Sequence, residues 1–374
     1  MKEYVYADNA ATTKLDKDAF EAMIPWLIDE YGNASQPYAF SRKPRQALEE
    51  ARATIAACVN ALPEEIYFTS GGTESDNWAI KGSAFADCDH QTTITSLLEH
   101  HAVLHACEAI EKMNYPVVYM RPTNSGYILP DILENHINKK TRLVSVMLAN
   151  NELGTIQPIK ELCKIAHAHG AIFHTDAVQA VGHIKIDVRE LDVDMLSASA
   201  HKFNGPKGVG FLYIKKGVTI HPYIDGGAQE NRMRAGTENI ASIVGMAVAL
   251  KNNCDALEAN IKHIMHLERI LIRELNEAGI NYVRNGGASK LPGFVSLSFP
   301  RKDGEVILHR MDLMGIGIST GSACNSVNKE VSHVLKAIRL DESLAKGTIR
   351  ISLGKYNTEE HVYKIVDALK RIVK

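Results

Sequence analysis

The sequence has few cysteines, and no two of them are closely spaced. Six cysteines are spread over 374 residues, without a CxxC motif. This spacing excludes the disulfide framework of short secreted proteins and predicts reduced thiols in the cytoplasm. Five of the six lie in apolar or helical patterns typical of core positions, whereas Cys324 lies among small and polar residues. The cysteines are Cys58, Cys88, Cys107, Cys163, Cys254 and Cys324.

Long hydrophobic runs and an excess of charge of one sign are also missing. The longest apolar run, at residues 241–250, is too short to cross a bilayer, and the N-terminus lacks the apolar core of a signal peptide. Forty-two basic residues against forty-four acidic ones give a net charge of −2. That balance argues against a nucleic-acid or acidic-lipid surface. We therefore expect a small-molecule substrate, no membrane partner and no direct nucleic-acid partner.

The length of the chain predicts two domains, because 374 residues exceed the size at which one hydrophobic core stops growing. Apolar strands alternate with helical segments, one of them a short helix from Ala177, which is typical of a mostly parallel sheet covered on both faces. The predicted units are an N-terminal arm at residues 1–14 that packs with the small domain, a large domain at 15–255, and a small α+β domain at 256–374 that carries a mobile cysteine loop.

A lysine lies between a predicted strand end and a Gly/Pro turn in the segment SASAHKFNGPKGVG. At such a position the amine of Lys202 becomes a nucleophile toward carbonyl groups when burial or a nearby cation lowers its pKa. The alternative is a solvated loop lysine, as most lysines are. The remaining motifs favour a reactive lysine.

Two further motifs lie where predicted strands end. TSGGTESDN has Gly71 and Gly72 at a strand-to-helix junction, where free N–H groups near Thr73 favour an anion. An ordinary N-cap turn is the alternative. HTDAVQAVG puts Asp176 at the carboxyl end of a central strand, the edge at which open α/β sheets bind ligands. At that edge Asp176 would keep the pyridinium nitrogen of a ligand protonated, and Gln179 would donate a hydrogen bond to an oxygen on the ligand's ring. The alternative is that Asp176 only caps the next helix.

Histidine, cysteine and arginine residues complete the set of candidates. His101 and His105 in LEHHAVLHAC have the spacing that can bind zinc, but no carboxylate or cysteine partner accompanies them, so no metal site is expected. His100 follows a strand end and is better placed to stack on a flat ring or to move protons. Cys324 in STGSACNS is predicted to lie on an exposed loop, where a thiolate can attack. Arg350 in TIRISLG is either a salt-bridged edge residue or a bidentate clamp for a carboxylate.

Together these segments resemble the cysteine desulfurases, the NifS/IscS-like proteins of the class V aminotransferase superfamily. The resemblance implies the α/β fold of type I PLP-dependent transferases, with a large domain on a mostly parallel seven-stranded sheet between helices and a smaller α+β domain. It also implies a homodimer with active sites at the subunit interface. The matching segments, in the family's order, are YADNAATT, SGGTESDN, EHHAVL, ANNELGTIQPI, HTDAVQAVG, SASAHKFNGPKGVG, GGAQENRMRAGTEN, STGSACNS, VSHVLKAI and TIRISLG.

The resemblance implies pyridoxal 5'-phosphate (PLP) as the cofactor and a role for each matching residue. The catalytic residues would be Lys202, which carries PLP, His100, which also stacks on its ring, and Cys324, which accepts sulfur. The other cofactor-binding residues would be Asp176 at the pyridine nitrogen, Gln179 at the phenolic oxygen, and Gly72, Thr73, Ser199, His201 and the partner subunit's Thr237 around the phosphate. The substrate carboxylate would be bound by Asn151 and Arg350.

The implied activity is removal of sulfur from L-cysteine, which gives L-alanine and a persulfide on Cys324. L-Cysteine displaces Lys202, whose amine then removes the Cα proton, and Cys324 attacks the γ-sulfur while His100 adjusts the protonation of the substrate thiol. The persulfide then passes to an acceptor protein, either an iron–sulfur cluster scaffold or a tRNA or cofactor thiolation enzyme. The alternatives are another class V PLP enzyme, such as an aminotransferase or selenocysteine lyase, and a non-catalytic sulfur-trafficking partner.

Overall fold

Strands and helices alternate along most of the chain in a computed structural model, which describes residues 4–86, 91–320 and 331–374. The strands belong to one large and two smaller sheets. In chain order they are β1 (Val5–Tyr6), β2 (Ile66–Thr69), β3 (Thr92–Ser96), β4 (Val117–Met120), β5 (Thr141–Ser145), β6 (Ile172–Asp176), β7 (Met195–Ser199), β8 (Gly210–Ile214), β9 (Val283–Arg284), β10 (Phe294–Ser298), β11 (Ile316–Gly317), β12 (Ser319–Thr320) and β13 (Thr348–Ser352).

Several helices begin where a polar side chain accepts a hydrogen bond from the free N–H groups of the first turn, as Asp16 and Asp303 do. Within the described residues, none of the helices combines the length and the apolar character that a bilayer span needs. In chain order they are α1 (Lys17–Ile28), α2 (Arg42–Val59), α3 (Gly72–Phe85), α4 (His101–Glu111), α5 (Pro130–Glu134), α6 (Ile159–Ala168), α7 (Val188–Leu191), α8 (Ile240–Asp255), α9 (Leu257–Glu277), α10 (Gly304–Leu313), α11 (His333–Ala337), α12 (Glu342–Ala345) and α13 (Glu359–Val373).

The large sheet has seven strands in the order β2-β8-β7-β6-β5-β3-β4. Its central strands pair in parallel, and β8 runs antiparallel to both β2 and β7. Successive residues of a strand face opposite sides of a sheet, so Leu143 packs with the apolar residues of α3 and α4 while Val144 packs with those of α2, α6 and α8. The predicted α/β fold with a mostly parallel seven-stranded sheet between helices is confirmed.

The C-terminal part of the chain forms an antiparallel sheet of four strands in the order β12-β13-β10-β9. Val295 and Ile351 of this sheet pack in one apolar cluster with residues of α9, α10 and α13. The arm attaches to the same part, because β1 pairs in parallel with β11. Leu291 and Phe294, by contrast, pack into the apolar cluster of the large sheet. The domain boundaries stay predictions.

The short helix predicted from Ala177 is wrong. Residues 178–180 and 182–183 form turns, Val181 pairs with Ile184 in an isolated β-bridge, and the next helix in the chain is α7. Asp176 accepts a hydrogen bond from the backbone N–H of Val178 at 2.9 Å, which turns the chain immediately after β6. Gly182 has φ +78°, and a Cβ there would lie 2.6 Å from the Cβ of Phe203. Close packing against the segment that carries Lys202 therefore overrides the helical pattern.

Candidate active site

A cavity of about 340 Å³ lies where the carboxyl ends of β6 and β7 meet the N-terminus of α3. Ligands bind at this edge in open α/β sheets because the loops that follow parallel strands converge there. The cavity is lined by Ala10, Ala11, Gly72, Thr73, Asp76, His100, His101, Met147, Asn151, Glu152, Asp176, Val178, Gln179, Ser199, His201, Lys202, Ser332, His333 and Arg350.

All but two of the predicted site residues line this cavity. Thr237 is exposed in a separate recess beside Arg234 and Gly208. Its assignment to the active site of the partner subunit stays a prediction. Cys324 lies outside the described residues, as does the loop predicted to carry it.

Lys202 ends a short turn that follows β7, and both its amine and its carbonyl are held. Its Nζ donates to the backbone carbonyls of Ala10 at 2.6 Å and Ala11 at 2.8 Å. Its own carbonyl accepts a hydrogen bond from Nε2 of His183 at 2.7 Å. Burial lowers the pKa of His183, so the ring is neutral and carries its proton on Nε2. The lysine is thus fixed at the point where the N-terminal arm crosses the strand ends.

Gln179 makes a second contact with the arm. Its Nε2 donates to the carbonyl of Ala10 at 3.0 Å, so this carbonyl accepts from both Gln179 and Lys202. The arm is anchored on the other side by Thr13, whose hydroxyl donates to the carbonyl of His201 at 2.8 Å and accepts from the N–H of Asn204 at 2.8 Å. The arm therefore forms one wall of the cavity in addition to its pairing with β11.

One end of the cavity, which we call the sheet end, consists of the buried residues Asp76, His174, Asp176 and Ser197. Asp176 ends β6, and burial raises its pKa to about 6, against the opposing effects of the Val178 N–H and Lys202. Burial and the negative charge of Asp176 raise the pKa of Asp76 well above its usual range, although a hydrogen bond from Ser197 opposes them. Asp76 therefore keeps its proton while Asp176 ionises above about pH 6.

His174 connects the sheet end to the core of the large sheet. Its ring nitrogens lie 2.9 Å from the hydroxyls of Ser145 and Ser197, and Nε2 lies 3.7 Å from Oδ1 of Asp76. Burial lowers the pKa of His174 to about 3, so the ring is neutral and has only one N–H to donate. Because neither His174 nor Asp76 is charged, Asp176 is the residue of the sheet end that carries a negative charge at neutral pH.

The N-terminus of α3 forms an anion-binding corner. Backbone N–H groups in the first turn of a helix lack partners within the helix and favour negative charge. A Cβ at Gly72 would lie 2.5 Å from Cγ2 of Val178, so only glycine lets α3 approach the turn after Asp176. Ser199 lies at this corner, since a Cβ at Gly72 would lie 3.5 Å from the Cβ of Ser199. Thr73 follows Gly72 in the chain, and both Thr73 and His201 line the cavity.

The two histidines of the cavity that were predicted as site residues are both neutral. Burial and the neighbouring Lys202 lower the pKa of His100 and that of His201 to about 4. His100 caps α4, and its Nδ1 accepts from the N–H of Ala102 at 3.2 Å. The proton of the neutral ring is therefore on Nε2, which makes His100 a hydrogen-bond donor at that atom.

The other end of the cavity, which we call the arm end, consists of Asp8, Asn151, Glu152, Ser332 and Arg350. Arg350, on β13, donates from Nη1 to the carbonyl of Asn151 and from Nη2 to Oδ1 of Asp8, both at 2.7 Å. Its buried Nε has no partner among the described residues. Because an unpaired buried donor is costly and guanidinium groups bind carboxylates well, Arg350 is suited to an anionic ligand.

Glu152 and Ser332 join the remaining parts of the arm end. The hydroxyl of Ser332 lies 2.8 and 2.6 Å from the two carboxylate oxygens of Glu152, and it also caps α11. Burial raises the pKa of Glu152 to about 7, although Ser332 and the charge of Arg350 oppose this rise. The contact fixes the chain directly after residues 321–330, which contain Cys324.

A zinc site gains no support from the histidine cluster at the rim. The ring of His101 lies 5.0 Å from that of His105 and 4.7 Å from that of His333, centroid to centroid. Nowhere in residues 4–86, 91–320 or 331–374 do three or more metal-ligating side chains form a group that could hold an ion.

Several residues in the cavity, or in contact with its lining as Asp8 is with Arg350, received no role from the sequence. Asp8 and Ala10 lie in the motif YADNAATT and Asp76 lies in SGGTESDN, so both motifs were noticed but these residues received no role. Glu152 and Ser332 are hydrogen-bonded to each other although they lie 180 positions apart in the sequence. No local sequence pattern predicts such a pair.

Comparison with known proteins agrees with the geometry. The family described as aminotransferase class-V matches residues 5–365. A cysteine desulfurase IscS of Dictyoglomus turgidum is 49% identical over 375 residues, which cover 100% of this chain and 95% of the relative. A second, from Methanosarcina thermophila, is 45% identical and covers 99% of this chain and 92% of the relative.

Solved structures give the same result. A NifS-like protein superimposes with a TM-score of 0.93 at 38% identity, covering 99% of both chains. The structure of SspA in complex with cysteine superimposes with a TM-score of 0.84 at 36% identity, covering 95% of this chain and 100% of the other. The chain thus belongs to the class-V aminotransferase family, and PLP is its cofactor. The two relatives named above, which match it over its full length, are both cysteine desulfurases.

The residues of the cavity fit PLP. Asp176 offers a carboxylate that is ionised at neutral pH although it is buried, which suits a protonated pyridine nitrogen. The corner at Gly72 brings the N-terminus of a 14-residue helix to the cavity, which suits a phosphate. Lys202 supplies the amine. One cavity of a volume suitable for PLP thus contains a negative charge for the ring nitrogen, an anion-binding corner for the phosphate and a nucleophilic amine.

Proposed function

We propose that this chain is a cysteine desulfurase that converts L-cysteine to L-alanine and receives the sulfur as a persulfide on Cys324. The main support for the proposal is that the described residues on both sides of residues 321–330, which we call the Cys324 segment, lie at the arm end. Ser319 pairs with Arg350 between β12 and β13, and Ser332 binds Glu152. Both ends of the segment are thus held beside the residues suited to a substrate carboxylate.

The sheet end and its corner would hold PLP, with Lys202 as the attachment point and Asp176 at the ring nitrogen. When bound, PLP supplies an electron sink that makes the Cα proton of an amino acid more acidic. Gly72, Thr73, Ser199 and His201 would bind the phosphate.

Lys202 is the base for the Cα proton. The carbonyls of Ala10 and Ala11 hold its Nζ in place and accept hydrogen bonds from it, so they stabilise the amine after it has taken up the proton. His183 fixes the backbone of the same residue through the carbonyl of Lys202. The lysine can therefore deliver and receive a proton with little movement of the chain.

Arg350 would bind the carboxylate of L-cysteine. Nη1 and Nη2 are occupied by Asn151 and Asp8, which orient the guanidinium, and Nε is left for the substrate. Asn151 acts on Arg350 through its backbone carbonyl. His100 would donate from Nε2 toward the substrate sulfur, because its ring stays neutral down to about pH 4.

The proposal extends to the partners of the chain. We expect a cytoplasmic homodimer in which the partner's Thr237 reaches the phosphate, since Thr237 is exposed and is not among the residues that line its own chain's cavity. The sulfur acceptor would be an iron–sulfur scaffold or a tRNA or cofactor thiolation enzyme.

The decisive experiment compares alanine and sulfide production from L-cysteine by the wild-type holoenzyme and three variants. Lys202→Ala should lose both products by at least about 10³-fold and should lose the visible absorption of covalently held PLP. Cys324→Ala should lose sulfur release but keep that absorption. Lys207→Ala, at an exposed lysine of the same turn, should behave as wild type.

Two outcomes would contradict the proposal. Full desulfuration by Cys324→Ala would exclude the persulfide mechanism. Amino-group transfer to a keto acid without release of sulfur would make the chain an aminotransferase instead.

A further inference from the structure

Two cysteines outside the active site lie against each other. Cys58 is on α2 and Cys254 is on α8, two helices that pack together. Each thiol changes the pKa of the other, and both are partly exposed. They were predicted to fill the core, yet only Cys107 and Cys163 of the described cysteines are buried.

The pair lines a cavity of about 580 Å³ that is separate from the active site. The cavity lies between α8, the end of α2 and the segment at residues 181–186, so small solutes can reach the sulfur atoms. Such access separates this pair from Cys107 and Cys163, whose burial raises the pKa of their thiols.

The interaction between the two thiols makes their pKa values unequal. It raises the pKa of Cys58 and lowers the pKa of Cys254. Lys251 favours the Cys254 thiolate and Asp255 opposes it, and these two residues form an ion pair. Lys185 and Glu258 also line the cavity. A low-pKa thiol beside a second thiol is the arrangement found in redox-active cysteine pairs.

We propose that Cys58 and Cys254 form a redox-active dithiol that hydroperoxides oxidise to an intramolecular disulfide. The Cys254 thiolate attacks a peroxide oxygen, so that an S–O bond forms, the O–O bond breaks and hydroxide (from hydrogen peroxide) or alkoxide leaves. Cys58 then loses its proton and attacks the sulfur of Cys254; the S–S bond forms, the S–O bond breaks and water leaves. Two thiols are oxidised by two electrons, while one hydrogen peroxide is reduced to two waters.

The disulfide would connect α2 to α8 across the wall of the second cavity. The same wall contains Val181 and Gly182, next to His183, which binds the carbonyl of Lys202. Because the bond closes a long loop of the chain, we expect it to raise the apparent Tm by about 5 °C. This inference does not depend on the proposed desulfurase activity.

The test treats the full-length holoenzyme with equimolar hydrogen peroxide, alkylates the remaining thiols and maps the peptides by mass spectrometry. We expect a peptide pair joined through Cys58 and Cys254, lighter by two hydrogen atoms and separable by a thiol reductant. Cys107 and Cys163 serve as internal controls and should remain reduced. Peptide mapping keeps any reaction of Cys324 distinct from that of the pair.

Single variants test the order of events. Cys58→Ser should leave Cys254 as a sulfenic acid that a dione reagent traps, and Cys254→Ser should react at least about tenfold more slowly. Neither variant should change desulfuration under reducing conditions. Reduced Cys58 and Cys254 after the peroxide treatment, or separate over-oxidation of each without a joined peptide, would overturn the proposal. The wild-type measurement decides this even if a variant fails to fold.

Discussion

The sheet end and the arm end of the cavity face the same space but come from different parts of the chain. Asp176 and Ser197 lie on β6 and β7, which pair directly, and His174 lies two residues before Asp176 on the same strand. The arm end joins Asp8 to Arg350, which are 342 positions apart. Three of the four residues of the sheet end therefore follow from the order of strands in a single sheet, with Asp76 of α3 added by packing, whereas the arm end exists only when distant segments meet.

The two ends also handle charge differently. At the sheet end burial raises the pKa of the carboxyl groups, and one proton is retained on Asp76. At the arm end burial also raises the pKa of Glu152, to about 7, but there Arg350 is paired with Asp8 at 2.7 Å. Both ends therefore shift the pKa of a carboxyl group, while the arm end in addition holds an ion pair beside the site for a charged substrate.

The largest effect is expected at the sheet end. Asp176→Asn should lower kcat by about 10²–10³-fold, because a neutral amide cannot stabilise a protonated ring nitrogen. Asp76→Asn is the matched control and should change kcat by less than about threefold, since Asp76 already carries a proton. Steady-state kinetics at pH 8 measure both. Equal losses in the two variants would show that the carboxyl groups act as one unit and would remove the distinction between them.

A smaller effect is expected at the arm end, on KM instead of kcat. Arg350→Ala should raise KM for L-cysteine by about 10- to 100-fold, which corresponds to the free energy that hydrogen bonds to a charged group contribute. Arg371→Ala, at an exposed arginine of α13, should leave KM unchanged. A selective loss of kcat in Arg350→Ala would move Arg350 from substrate binding to the chemical step.

The anchor of the Cys324 segment should have a still smaller effect. Ser332→Ala removes the hydrogen bonds to Glu152 and the cap of α11, so we expect kcat to fall by about 3- to 10-fold and stability by about 1 kcal/mol. Glu152→Gln keeps the cap and should reduce kcat with less loss of stability. Thermal unfolding and sulfide assays of both variants separate the two contributions, and unchanged kcat in both would exclude the anchor from catalysis.

Glu99 should affect stability alone. Burial raises its pKa to about 8 against the hydrogen bonds from Ser96 and Met147. The folded state therefore holds a proton that the unfolded state releases, so this contribution to stability falls as pH rises from about 4.5 to about 8. In Glu99→Gln the free energy of unfolding should fall by a few kcal/mol less between pH 5 and pH 8 than it does in the wild type. Denaturant unfolding of the apoprotein at pH 5 and pH 8 measures it, and an unchanged difference between the two pH values would contradict the assignment.

Local sequence patterns predicted much of the fold, because regularly spaced apolar residues lie on the buried faces of strands and helices. The alternation of apolar strands with helical segments predicted the mostly parallel sheet that the structure has. The prediction of a helix from Ala177 was wrong because a local pattern does not show the turn at Asp176 or the contact of Gly182 with Phe203.

The sequence by itself determined the mostly parallel sheet and the candidate residues at its strand ends, because a strand end in a parallel sheet places whatever residue it carries at one edge. Only the tertiary structure decided that the arm closes on Lys202, that Arg350 is held by Asp8 and Asn151, and that Asp76 keeps a proton beside Asp176. These features depend on burial and on contacts between segments hundreds of residues apart, and both arise only when the chain has folded.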